Sequence, residues 1–215
     1  GCGPGHNTAL ILREKFLDDN EEEEEDDTST DFICIDLCKT FINMARQDLT
    51  SEFPYQAKNN GFSFAVDDMM VLNTLSNDSV HAAMNFCTIH HFEVDGVTKT
   101  LEAVHRVLVG GGLFLLQFWI MSDTDIKKQQ DENKKKDVER KEDDIICTPM
   151  DGPPNQKFLA YSIDFIVKVA AKVGLEVVDI SAPIQYVFEM GEDEEECCQD
   201  YTFITFVKQM GGTNE

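Results

Sequence analysis

Positive charge is scarce in this chain. Its 215 residues hold 18 lysines and arginines against 41 aspartates and glutamates, a formal net charge of −23 at pH 7. Such a balance repels polyanions and anionic membrane surfaces over long range, and leaves cationic, neutral or small partners easier to accommodate. Much of the acid is local, in 18–27 and 192–196, so a less acidic binding face elsewhere stays open. Long hydrophobic runs are also missing: no stretch of about 18 apolar residues is present and no signal peptide can be read, so membrane insertion is not expected. Metal-ligand spacing is lacking as well. Cys34 lies in an apolar run and Cys38 beyond its end, while Cys197-Cys198 sits in an acidic stretch with no histidine nearby, so no metal site is expected. Seven cysteines form an odd set with no small-domain disulfide framework, which points to reduced thiols and a cytoplasmic setting.

What is there begins at once. Gly1-Cys2-Gly3-Pro4-Gly5 is a glycine-rich turn feeding a helix-like run, His6 to Leu17. A turn of this kind lets a nucleotide-like ligand approach backbone that side chains would otherwise cover. No Gly-Lys-Ser/Thr closes the turn, which excludes a P-loop, and G-x-G-x-G with His6 in the sixth position departs from the dinucleotide spacing.

Along the rest of the chain, helix-period and strand-like segments alternate, which predicts an α/β fold with a mainly parallel sheet covered on both faces. At 42% hydrophobic residues the chain can bury a real core, and one domain over 1–215 is expected, carrying an acidic insert at 18–30 and a charged insert at 123–145. Strands are predicted at Asp31–Asp36, Phe62–Val66, Val80–Phe86, Leu113–Ile120, Leu175–Ile180 and Tyr201–Lys208. Helices are predicted at Thr40–Leu49, Val97–Leu108 and Ser162–Val173, with Gly110-Gly111-Gly112 expected to stop the second.

Asp36 ends the strand after the opening helix, where a carboxylate can accept both hydroxyls of a ribose; the bland alternative is a strand-end turn residue. Its distance from the glycines exceeds the roughly 20 residues usual for such an acid, and the 18–27 segment accounts for the excess.

With these residues in hand, the chain resembles the class I S-adenosylmethionine-dependent methyltransferases, of the type 11/25-like kind. Gly1-Cys2-Gly3-Pro4-Gly5 resembles the family's cofactor turn and Ile35-Asp36-Leu37 its ribose-binding strand end. Phe64-Ala65-Val66-Asp67-Asp68 resembles the adenine-side motif, with Asp68 the better counterpart of the acid that meets the adenine amino group. His105 to Gly112 is similar to the family's H-R-V-L-K-P-G-G segment, with Val109-Gly110 in place of Lys-Pro. His81 stands where many relatives carry an acid.

The resemblance implies a Rossmann-like, doubly wound fold and S-adenosyl-L-methionine as cofactor. It also implies that the family's first strand and its acid precede Gly1, so the chain is expected to be an N-terminal truncation lacking that strand, with weak or no activity by itself. Gly1, Cys2, Gly3, Gly5, Asp36, Leu37, Asp67, Asp68 and Met69 are then the cofactor-binding candidates, with Asn85, Phe86 and Cys87 flanking the methionine part. Met69 and Met70 have core filling as their alternative role.

Methyl transfer needs an aligned acceptor, exclusion of water and, for some acceptors, a base. His90 and His91 are candidates for that base, against a role in capping or packing the next helix. Trp119, the only tryptophan, is a candidate for acceptor stacking, against ordinary core packing. The expected function is methyl transfer to a small-molecule or lipid-like acceptor. Two alternatives remain. Ile89-His90-His91-Phe92 and Phe118-Trp119-Ile120-Met121, followed by the charged insert, are similar to the wobble-uridine tRNA methyltransferases. The other is a catalytically inactive methyltransferase-fold binding module. No specific protein partner is expected.

Overall fold

The computed structural model describes residues 1–17, 31–121, 127, 147–150, 158–190 and 195–210. The acidic insert at 18–30 lies outside the described residues, and so does the charged insert at 123–145 apart from Lys127. Two compact units are present, Gly1–Leu75 and Ser76–Glu215.

The first unit runs α1 (His6–Leu17), β1 (Phe32–Asp36), α2 (Lys39–Glu52), α3 (Pro54–Lys58) and β2 (Phe62–Val66). Strands β1 and β2 pair in parallel, from Phe32 opposite Phe62 to Asp36 opposite Val66. Apolar residues of α2 at helical spacing, Ile42, Ala45 and Leu49, are buried. Ala45 and Leu49 join Ala9, Leu12, Cys34 and Phe53 in one core, with Phe32, Phe62 and Phe64 packed against it. Helix α1 starts directly from the turn, since Ala9 N–H donates to Gly5 O at 2.9 Å. Gly5 is required there: its φ is +94°, and a Cβ would sit 3.2 Å from that of Ala45.

The second unit runs β3 (Val80–Asn85), a 3₁₀ turn (Ile89–His91), α4 (Val94–Val107), β4 (Leu108–Trp119), β5 (Cys147–Met150) and β6 (Phe158–Tyr161). It continues through α5 (Ile163–Lys172), β7 (Leu175–Ile180), β8 (Ile184–Met190) and β9 (Glu195–Lys208). Its main sheet has the order β3-β4-β9-β7, with β8 also on β9, and β5-β6 form a separate antiparallel pair. β3 and β4 are parallel. The last strand, β9, runs against every neighbour: Tyr201 to Val207 pair with β4, Ile204 to Lys208 with β7, and Glu195 to Tyr201 with β8. The alternation of segments does not foretell that reversal, nor the early start of β9, whose first residues are acidic.

Phe114, Leu116 and Phe118 of β4 and Ile204 and Phe206 of β9 are fully buried. α4 buries Val97, Leu101, Val104 and Val107, and α5 buries Ile166, Val169 and Ala170. Ser162 caps α5, its Oγ accepting the Phe165 N–H at 3.2 Å.

Gly110-Gly111-Gly112 does not stop α4. The helix ends at Val107, and the glycines lie inside β4. They serve an irregularity there: pairing slips from Val80 opposite Leu108 to Ala82 opposite Leu113. Gly111 takes φ +82°, and a Cβ on Gly112 would lie 2.9 Å from Val109 O and 3.1 Å from His81 O.

Candidate active site

In the first unit the opening turn is hydrogen-bonded to the end of β1. Cys2 N–H donates to Ile35 O at 2.7 Å, and Gly3 N–H donates to Asp36 Oδ2 at 2.9 Å. The other carboxylate oxygen of Asp36 accepts the Cys38 N–H at 2.8 Å. Gly1 lies so close that a Cβ on it would be 2.1 Å from Asp36 Oδ2, so the first position of the turn cannot carry a side chain in this arrangement. Two backbone donors thus hold the carboxylate at the mouth of a turn that presents backbone. Leu37 follows, 71% exposed, an apolar residue open beside the acid.

Cys2 lies on the core side of this turn, packed with Phe32, Phe62 and Phe64 against the cluster that includes Cys34. The hydrogen bond it shares with Cys34, and its burial, push its thiol above the ordinary value, which suits packing rather than nucleophilic work.

The two acids after β2 do different things. Asp67 is committed to its loop: Oδ1 accepts Asp68 N–H at 2.8 Å, and Oδ2 accepts both the N–H and the hydroxyl of Thr74 at 2.7 Å. Burial works against its charge, but the donors from Thr74, Asp68 and Asn73 outweigh that, so its carboxyl is held below the ordinary value. The carboxylate of Asp68 accepts the Met70 N–H at 2.9 Å, while its backbone carbonyl accepts those of Val71 and Leu72. Met69 packs toward the glycines, with its Sδ 3.7 Å from the Gly1 nitrogen. The nine candidates from this unit therefore fall into three hydrogen-bonded pieces: the turn, the β1 end and the β2 end. Asp67 N–H joins the last two by donating to Asp36 O at 3.2 Å.

In the second unit the end of β3 carries Asn85, which is buried, then Phe86, whose ring meets Phe203 edge-on at 6.0 Å, then Cys87. Cys87 has φ +50°, a left-handed backbone that only a few per cent of non-glycine residues adopt. Both its N–H and its Sγ–H donate to Oε1 of Gln117, at 2.8 and 2.9 Å. A backbone N–H can only donate, so the facing amide atom is the oxygen and the orientation of Gln117 follows.

The two histidines part company. His90 is 3% exposed and its ring stacks on Trp119 at 4.6 Å and 19°, whereas His91 is exposed and meets His90 edge-on at 4.2 Å. Burial, together with the neighbouring His91, lowers the pKa of His90 to about 3, so it stands as a neutral ring at pH 7. That geometry buries the ring of His90 in packing against Trp119 and leaves the ring of His91 exposed. Trp119 packs against Met121 and Ala160, and the hydroxyl of the buried Tyr161 donates to Phe92 O. Among the described residues no group of three His, Cys, Asp or Glu side chains could hold a metal ion. None of the described helices is long and apolar enough to cross a membrane.

The family model described as a methyltransferase domain matches residues 1–116, more than half of the chain. The chain belongs to the class I methyltransferase family. Solved structures agree on the fold. An S-adenosylmethionine-dependent methyltransferase from Methanosarcina mazei shares 15% identity with a TM-score of 0.61, over 98% of this chain and 91% of that one. The YcgJ protein from Bacillus subtilis shares 16% identity at a TM-score of 0.60, over 98% and 90%. A methyltransferase in complex with the Haloferax volcanii Trm112 methyltransferase activator shares 14% identity at a TM-score of 0.58, over 100% and 82%. At such identities the likeness concerns the fold alone. No curated protein matches the chain in sequence.

Within this methyltransferase fold, the sequence reading missed Gln117. The available signal was one amide inside the run Leu113-Phe114-Leu115-Leu116-Gln117-Phe118-Trp119-Ile120, since a polar group buried in an apolar strand must find a partner.

Proposed function

We propose that this methyltransferase-family chain uses S-adenosyl-L-methionine as methyl donor, and that the acceptor is a small or lipid-like molecule. The observation that carries the cofactor reading is the cradle at Asp36. Its carboxylate is fixed by Gly3 and Cys38 N–H groups beside a turn where a Cβ at Gly1 would collide with it. An acid so placed is oriented for ribose hydroxyls, with lone pairs left to accept them. Asp68, with one oxygen engaged by Met70 N–H, is the acid suited to the adenine amino group, whereas Asp67 holds the loop in shape. Leu37 and Met69 supply apolar surface near the sugar and base. In the second unit, Asn85, Phe86 and Cys87 are assigned to the methionine part by the family resemblance.

When bound, the cofactor supplies an electrophilic methyl group on a positively charged sulfur. The chain's own contribution is then to bind, to align the acceptor and to take up a proton where the acceptor releases one. Trp119, stacked on neutral His90, offers a flat apolar wall, and exposed His91 stands beside it as the proton acceptor. One domain over 1–215 belongs to the same proposal. Free thiols at Cys2, Cys34, Cys38 and Cys87 accord with a reducing, cytoplasmic setting.

The net charge of −23 favours a small acceptor over tRNA. Filter binding with tRNA at low salt separates the two: salt-sensitive retention would move the acceptor to RNA. Calorimetric titration with S-adenosylhomocysteine tests the cofactor. Asp36→Ala is expected to weaken binding by about 1–3 kcal/mol through lost charge-assisted hydrogen bonds. Equal affinity in that variant would put the ribose elsewhere, and no binding to the unaltered chain at millimolar ligand would leave the inactive-module reading.

A further inference from the structure

The left-handed backbone at Cys87 is a strain that glycine would avoid, and one side chain meets both of its donors. Gln117, 7% exposed on β4, reaches across the parallel pair β3-β4 one position beyond the Asn85–Leu116 register. Its Oε1 takes both donors of Cys87. Thr88 closes the same turn from the other end, its hydroxyl donating to Phe86 O at 2.9 Å. The amide is itself fixed, because it stands on a strand whose neighbours Leu116 and Phe118 are fully buried.

We infer that Gln117 is a positioning residue for the cofactor: by accepting two hydrogen bonds from Cys87 it holds the turn Asn85 to Thr88 in the one shape that presents Asn85 and Phe86 to the methionine part. The inference rests on the cofactor reading given above, but it assigns the affinity to a residue that does not itself touch the ligand. A strained turn is expected to relax when the acceptor of its two Cys87 donors goes. A chemically different side chain with the same acceptor is expected to keep it.

The test is titration of S-adenosylhomocysteine into the full chain and four variants, with thermal midpoints measured alongside. Gln117→Met fills the same space without the acceptor and should bind about tenfold more weakly, the size of effect that a lost buried hydrogen bond produces. Gln117→Glu retains an oxygen for both donors and, titrated at a pH low enough to keep the buried carboxyl neutral, should stay within about threefold of the unaltered chain. In the Gln117→Met background, Cys87→Gly should recover part of the loss, because glycine takes a positive φ without strain. Cys87→Val leaves the core untouched, since Cys87 is exposed, yet puts a β-branched residue where φ is +50°. It should bind as weakly as Gln117→Met.

Unchanged affinity in Gln117→Met would overturn the inference while leaving the cofactor reading intact. Should Gln117→Met fail to fold, unchanged affinity in Cys87→Val would do the same. Equal losses in Gln117→Met and Gln117→Glu would also overturn it, by showing that packing rather than the acceptor matters. Absence of binding by the unaltered chain would remove the cofactor reading and this inference with it.

Discussion

The two units handle polar groups in opposite ways. In Gly1–Leu75 the candidate acids stand at strand ends and are steered by backbone N–H groups: Gly3 and Cys38 on Asp36, Asp68 and Thr74 on Asp67, Met70 on Asp68. In Ser76–Glu215 the candidate groups are rings and amides held by burial, as His90 is on Trp119, or by a single through-space partner, as Cys87 is by Gln117. Charge near water can be oriented by short turns at little cost, whereas neutral groups under cover depend on packing. A substitution at the strand-end acids of the first unit should therefore damage ligand affinity before stability, whereas one among the buried rings of the second unit's sheet should damage stability first.

The largest expected effect comes from the packed unit. Phe114 is fully buried and stacks on Phe206 at 6.1 Å, so Phe114→Ala should cost about 3–5 kcal/mol, read from urea unfolding. A loss under about 1 kcal/mol would mean that this sheet is not held by its core in the way the comparison requires.

The next effect is pH-dependent. The ordinary pKa of His90, 6.5, falls to about 3 in the folded state, so folding favours the neutral ring. That contribution is complete above about pH 6.5, and shrinks by up to about 1.4 kcal/mol per pH unit as the pH falls from there toward 3. His90→Phe should keep the stack on Trp119 and flatten the unfolding midpoint between pH 6.5 and 4. An equal slope in both proteins would show that the ring is not buried as a neutral group.

The smallest effect belongs to the first unit. Asp67 is depressed below its ordinary 3.8, so its stabilising share is present above about pH 4 and is lost as the pH falls through the folded value. Asp67→Asn should shallow the acid limb of the unfolding curve only modestly, because the group is part-buried beside water and the cost of its burial offsets much of what its donors contribute. An effect as large as that of His90 would erase the distinction between the units.

The same distinction governs how much could be read in the sequence. Strands Phe62–Val66 and Leu175–Ile180 have the bounds expected of them, since apolar or alternating runs between turn residues are local signals. Asp36 and Asp68 could be singled out because a strand-end carboxylate is visible in one dimension. Gln117 could not be matched to Cys87, thirty positions away, because only the β3-β4 register brings them together. The three glycines were legible as special but not as a strand irregularity, because their role depends on His81 O across the sheet. The antiparallel course of β9 was hidden for a similar reason: a strand's direction is set by the path of the chain and leaves no mark in its own residues.

That last strand carries one more consequence. Leu113 pairs with Val207 and Trp119 with Tyr201, while β7 and β8 both lean on the same β9. During synthesis, β4 leaves the ribosome long before its partner exists, and its apolar residues must wait with one edge bare. Chains in that condition are the ones that associate with each other or engage chaperones. The order of translation, rather than the strength of any contact, then decides when this half of the molecule can close.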